Sequence, residues 1–144
     1  MDKFMHSAIE EAIKGRDEGG IPIGSVLVRD GQVLSRGRNR RVQADNPIMH
    51  AEIDCLQRAG RIGSYADTIL YSTLMPCYLC AGAIVQFGIK HVIVGEGATF
   101  NGASDFMREH AITVDDLDIP ECKILMQEFI KKHPDLWSED IGTL

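Results

Sequence analysis

Two short stretches, His50-Ala51-Glu52 and Pro76-Cys77-Tyr78-Leu79-Cys80, constrain this chain more than any other feature, with 26 residues lying between His50 and Cys77. Cysteines at i and i+3 in the first turn of a helix send both sulfurs the same way, and a proline suits such a start because its missing N–H costs nothing there. The pattern predicts a helix from about Cys77 to Phe87, stopped at Gly88, and another over Glu52 to Ala59, stopped at Gly60. His50 stands where the preceding loop enters the earlier of these helices. Two helix N-termini are thereby required to converge on one point. Their partial positive charge favours thiolates and a bound hydroxide, the species that zinc requires.

The number of ligands separates two kinds of zinc site. Structural sites use four protein ligands, whereas catalytic sites keep one position for water. His50, Cys77 and Cys80 make three. Cys55 and Cys122 fall inside predicted helices and read as buried small hydrophobes instead of a fourth ligand. One catalytic zinc per chain would lower the pKa of bound water from about 15.7 towards roughly 7. Attack on an amidine-like carbon also needs a carboxyl group that moves protons without binding the metal. Glu52, two residues beyond His50, is placed for that role. The order H-x-E…P-C-x-x-C is the signature of zinc nucleobase deaminases, and this chain matches it.

The rest of the pattern points to an α/β domain. Phe4, Met5, Ala8, Ile9, Ala12 and Ile13 share one face of an opening helix that ends at Gly19-Gly20. Val26 to Val28 and Val33 to Arg38 read as strands joined by an Asp30-Gly31 hairpin turn. Further strands are expected at Thr68–Thr73, His91–Val94 and Ala111–Val114, a helix over Pro120–Lys132, and a last turn or two over Pro134–Ile141. A hairpin followed by crossover helices implies a mixed five-stranded sheet with helices on both faces, a three-layer α/β/α sandwich. Residues 1–144 contain no repeat or linker-like run, so a single domain is expected.

Composition narrows the partners. A net charge of −6 and a pI near 5.3 argue against nucleic acid, whose phosphates call for clustered bases. The densest basic run, Arg36, Arg38, Arg40 and Arg41, reads as a solvated strand end and loop. No window has the ~18 consecutive apolar residues of a membrane span. The opening Met1-Asp2-Lys3-Phe4 lacks the layout of a secretory signal, and Cys-x-x-Cys usage suits a reduced compartment. A cytoplasmic location follows as the expectation.

Over nearly its full length the chain resembles the cytidine deaminase-like superfamily, and in particular the fungal-type cytosine deaminases. The resemblance rests on Gly19-Gly20-Ile21-Pro22-Ile23-Gly24, Gly37-Arg38-Asn39, the two zinc motifs, Val94-Gly95-Glu96 and the tail Trp137-Ser138-Glu139-Asp140-Ile141-Gly142. It implies that cytosine is converted to uracil and ammonia, with Glu52 shuttling protons beside zinc-bound hydroxide. It also implies that Asn39 and the Ala51 N–H meet the N1–O2 edge of the base and that Asp140 accepts from its exocyclic amine. Phe100 would stack on the ring, Trp137 and Ile141 would complete an apolar lid, and Ile23 and Leu74 would line the floor. A homodimer is implied as well. Ala51 and Met75 stand where the fungal enzymes carry glycine and serine, which leaves isocytosine, creatinine or guanine open as the substrate.

Plainer readings stand beside these. Trp137 and Ile141, four apart, equally suit a helix face docked on the core; Asn39 suits a turn cap, and Asp140 a surface acid. A tRNA wobble adenosine deaminase would share both zinc motifs, and a zinc-stabilised interaction module would share the ligands but have no use for Glu52. His6, His91, His110 and His133 lack matching partners and read as structural or solvated.

Overall fold

Alternation along the central strands sorts their side chains onto two faces, and each face is covered by its own helices. The computed structural model describes residues 2–144. The elements run α1 (Lys3–Asp17), β1 (Gly24–Arg29), β2 (Gln32–Arg38), α2 (Ala51–Ala59), β3 (Thr68–Ser72), α3 (Tyr78–Phe87), β4 (His91–Val94), α4 (Ser104–Glu109), β5 (Thr113–Asp116), α5 (Pro120–Lys132) and α6 (Pro134–Asp140). The strands form one mixed sheet in the order β2-β1-β3-β4-β5. β1 is antiparallel to β2 and β3, while β3, β4 and β5 run parallel.

Register aligns Leu27, Leu70, Val92 and Val114 as one row across four strands. That row packs against Cys55 and Leu56 of α2, Ala81 and Ile84 of α3, and Met107 of α4. Val26, Val28 and Tyr71 point the other way, onto Met5, Ala8, Ile9 and Ala12 of α1 and Cys122 and Leu125 of α5. Each such fully buried aliphatic side chain contributes about 1.5–3 kcal/mol, so the sheet is held from both sides. The three-layer α/β/α architecture is therefore present.

Local chemistry explains most boundaries. Asp2 caps α1, its Oδ1 accepting from Phe4 N at 2.8 Å and Met5 N at 3.3 Å; such a cap is worth ~1 kcal/mol. Asp30 (φ 50) and Gly31 (φ 72) both take the positive φ that a two-residue hairpin turn needs. Two glycines permit close helix–strand approach. A Cβ on Gly24 would lie 1.9 Å from the Ala8 carbonyl oxygen, and one on Gly37 would lie 2.3 Å from Cys55 N. Only glycine lets α1 settle on β1 and α2 on β2.

The structure corrects the sequence reading in two places. α4 was not expected, because six residues with only Ser104 and Met107 buried carry too little periodicity to stand out. The last strand is Thr113–Asp116 instead of Ala111–Val114, since Ala111 adopts φ 62 and β4 sets the register from Thr113 onward. Asp115 and Asp116 thus lie in an edge strand, where acids are tolerated. The expected last turns over Pro134–Ile141 are present as α6, with Pro134 in its first turn.

Candidate active site

One edge of the sheet collects the segments that matter. β1 starts there, and β2, β3 and β4 end there, because β1 is antiparallel to both of its neighbours. Ile23, Asn39, Leu74–Met75 and the 95–100 loop therefore emerge side by side. Short backbone bonds join them: Asn39 N to the Ile23 oxygen at 2.9 Å, Thr73 N to the Gly24 oxygen at 3.0 Å, and Met75 N to the Glu96 oxygen at 2.9 Å. This is the carboxyl end of the parallel strands, the usual location of ligand sites in α/β sheets.

The two predicted helix starts meet at this edge. His50 is the residue before α2 and Cys77 the residue before α3, both in extended backbone, so each stands at an N-cap instead of inside the first turn. Pro76 accordingly precedes the cap. The ligating atoms of His50, Cys77 and Cys80 lie within 4.8 Å of one another, the only such His/Cys/Asp/Glu group among the described residues. His50 Nδ1 is 3.4 Å from Cys77 Sγ. Cys55 and Cys122 are buried elsewhere, among apolar neighbours.

The electrostatics of this cluster suit a cation. Taken as protein groups alone, Cys77 is pulled down to about 4, chiefly because Cys80 and then His50 hydrogen-bond its thiolate against the opposing effect of burial. Cys80, bonded to that thiolate and buried, is pushed well up. Burial disfavours charge on His50, yet its bond to Cys77 and the nearby Asp140 outweigh this and lift it to about 9. One imidazole and two sulfurs form a donor set suited to zinc, and three of them leave a position for water. Glu52, 4 % exposed, is raised to about 7 by burial and by the Cys77 charge, partly offset by His50. Such a value fits a group that must both take and give a proton near neutrality.

Beside the cluster lies a cavity of ≈ 20 Å³, room for about one water. Ile23, Asn39, His50, Glu52, Leu74 and Met75 line it, and Cys77, Phe100, Trp137 and Asp140 complete its wall. All ten had been singled out in the sequence. Ala51 and Cys80 are fully buried just behind the wall, and Ile141 lies outside it, in a vestibule of ≈ 440 Å³ that also touches Tyr78, Leu79 and Phe100. Phe100 and Trp137 meet edge to face, with ring centroids 5.6 Å apart. Asn39 Nδ2 donates to Asp140 Oδ2 at 3.0 Å, and Asp140 Oδ1 lies 3.8 Å from His50 Nε2. Asp140 is therefore not a surface acid, its side chain being 4 % exposed; burial raises its pKa, while His50, Asn39 and Arg41 act to lower it.

Arg41 and Glu96 have parts at the site that the sequence alone does not assign. Arg41 was grouped with solvated bases, but its side chain is only 10 % exposed and pairs with Glu139. Arg38 departs from that reading too, pairing with Glu11 and Glu18. Glu96 is fully buried and accepts from Thr99 N at 2.8 Å, shaping the loop that carries Phe100. The run of arginines was itself the missed signal for Arg41, since an acidic tail carrying Glu139 lay ready to meet it. The four remaining histidines stay away from the site; His91 bonds Asp115 and His110 bonds the Phe106 carbonyl.

Known proteins with this arrangement converge on one chemistry. Residues 1–96 match the family model of the cytidine and deoxycytidylate deaminase zinc-binding region. A cytosine deaminase of Candida albicans is 42% identical over 143 residues, covering 97% of this chain and 95% of that protein. A tRNA-specific adenosine deaminase of Streptococcus pyogenes is 36% identical over 141 residues, covering 90% of this chain and 89% of its own length. A solved structure from a study of tRNA:A34 deaminases superposes with a TM-score of 0.76 at 30% identity, covering 87% of this chain and 99% of that one. Its zinc ligands, its fold and these likenesses together place the chain in the cytidine and deoxycytidylate deaminase family, as a zinc-dependent deaminase.

Proposed function

We propose that the chain takes up free cytosine and hydrolyses it to uracil and ammonia. The observation that carries this reading is the narrow, roofed pocket beside the metal cluster. The metal cluster opens onto a cavity roofed by the chain's own α6 and by Phe100, and this roof suits a small base enclosed whole. The 42% identity to a cytosine deaminase points the same way.

Zinc held by His50, Cys77 and Cys80 supplies an activated water and a Lewis acid when bound. Glu52 accepts a proton from the attacking water and delivers it to ring N3, then takes the remaining proton of the oxygen added at C4 and passes it to the amine as the C4–N bond breaks, so that uracil and ammonia leave. Asp140 accepts from that amine while it is still an N–H donor. Asn39 already uses one Nδ2 hydrogen on Asp140, and its Oδ1 accepts from Arg41 N at 3.1 Å; the second Nδ2 hydrogen remains for the base carbonyl. The Ala51 N–H, at the first position of α2, has no acceptor within its helix and adds a second donor to that carbonyl. Phe100 stacks on the ring, Trp137, edge to face with Phe100, and Ile141 complete the apolar lid, and Ile23, Leu74 and Met75 form the floor. Excluding water from this space strengthens each polar contact within it.

An ammonia-release screen over cytosine, cytidine, isocytosine, guanine, adenine and creatinine tests the reading. Cytosine is expected to lead by kcat/KM. Preference for another ring would move the substrate and keep the chemistry, whereas tight, salt-sensitive tRNA binding would favour a wobble adenosine deaminase instead. The acidic net charge of −6 supports a small-molecule substrate, met in the cytoplasm without nucleic acid or membrane. Among the described residues no helix is long and apolar enough to cross a membrane. The same reading includes a homodimer, supported by Tyr78, Leu79 and Phe87 exposed along α3. Light scattering should then give twice the 15.9 kDa chain mass.

A further inference from the structure

We propose that Arg41 is a positioning residue: a latch that holds α6 over the pocket and sets how readily the site opens. This inference rests on the deaminase reading above and concerns how that site is closed.

Arg41 lies in the loop between β2 and α2, and three bonds radiate from it. Its backbone N–H donates to Asn39 Oδ1 at 3.1 Å. Its Nε donates to the Pro47 carbonyl at 2.8 Å, and its Nη1 reaches Glu139 Oε1 at 3.3 Å. The first bond orients the Asn39 amide so that Nδ2 faces Asp140 Oδ2. The second braces the guanidinium against its own loop. The third ties that loop to α6 one residue before Asp140.

The positions in sequence give this contact its meaning. Trp137, Asp140 and Ile141 all ride on α6 or its end, and the contacts gathered here join them to a loop about 100 residues earlier: Asn39 to Asp140, with |i−j| = 101, and Arg41 to Glu139, with |i−j| = 98. The pocket beneath is narrow and roofed by Phe100, Trp137 and Asp140, so outward movement of α6 widens the way in for a base. Lifting α6 breaks the Arg41–Glu139 pair. The Arg41 side chain is 10 % exposed and Glu139 53 %, so the pair sits at the rim, where water can take over when it opens. An ion pair of that kind is modest and screened by salt. A modest, reversible bond is what a latch requires; a buried pair would lock the roof.

The decisive variant is Glu139→Gln, because Glu139 is exposed and its replacement leaves the fold intact. Two readouts are taken on the full protein: amide hydrogen exchange across residues 134–141, and kcat and KM for the best base of the screen. Expected are about three- to fivefold faster exchange and a comparable rise in KM, with kcat within about twofold. Arg41→Gln should give a larger change of the same kind, since the Pro47 bond is lost too, and Arg41→Lys only partial recovery, because lysine lacks the forked geometry. Adding Glu139→Gln to Arg41→Gln should change nothing further. Unchanged exchange and KM in both single variants would overturn the latch, as would fully additive effects in the double variant. Exchange needs no substrate, so the latch is decided even if no base in the screen is turned over; that second result would sink the substrate assignment alone.

Discussion

The two halves of the site are built by different means. The metal half hangs on two helix starts, His50 before α2 and Cys77 before α3, both in extended backbone at the N-cap. The lid half is assembled from a loop, a second loop and a short terminal helix, brought together by the side-chain bonds of Asn39 to Asp140 and Arg41 to Glu139 and by the Phe100–Trp137 contact. The metal half is rigid because moving any ligand means moving a core helix. Its partner combines Trp137 packed among Met126 and Phe129 with side-chain bonds, of which Arg41–Glu139 lies at the rim where water can replace it. The division suits a deaminase, whose reacting atoms need fixed geometry while its entrance must open and close.

The sharpest way to break the comparison is Glu52→Gln. If Glu52 is a proton carrier and no part of the metal half's structure, the variant keeps one zinc per chain and loses about 10²–10⁴ in kcat. Loss of zinc together with activity would make Glu52 a ligand or a support. Asp140→Ala tests the other half. Leaving the base amine unpaired should cost about 10–100-fold in kcat/KM, with zinc content unchanged and stability lowered only by the lost Asn39 bond, about 1 kcal/mol. An equal loss of activity and stability would mean that α6 is packing alone.

How legible each half was follows from the same difference. The zinc ligands, Glu52 and the five strands could be read because short-range periodicity and fixed spacing determine them. Asn39, Asp140, Phe100 and Trp137 came into view through a family resemblance, since no local pattern links residues 101 apart in sequence. Arg41 was misplaced for a physical reason: an arginine beside other arginines looks solvated until the acidic helix that buries it is in place. α4 escaped because two buried residues in a six-residue helix give no repeat to detect.

A gentler test sharpens the claim that the metal half is locked into the core. Burial raises the Cys55 thiol of α2 to about 11 and the Cys122 thiol of α5 to about 12, against an ordinary value of 9.0. Both are therefore raised in the folded state. Their contribution is fully present below pH ~9 and is lost as pH rises through the folded values. For Cys55 the loss is on the order of 2–3 kcal/mol. Urea unfolding near pH 8 and again near pH ~10.5 should show it, and Cys55→Ala should remove part of the alkaline loss. An alkaline stability profile identical in wild type and Cys55→Ala would mean that α2 admits water, and that the metal half is looser than its packing indicates.

X-ray absorption at the zinc edge of the purified protein tests the metal centre most directly. The expected spectrum has two sulfur neighbours at about 2.3 Å and two lighter atoms at about 2.0–2.1 Å, one of them the His50 nitrogen. The second light neighbour should be exchangeable and unaffected by Glu52→Gln. Absence of zinc, a sulfur count other than two, or a light neighbour lost with the Glu52 carboxylate would contradict a three-ligand site with a free acid beside it.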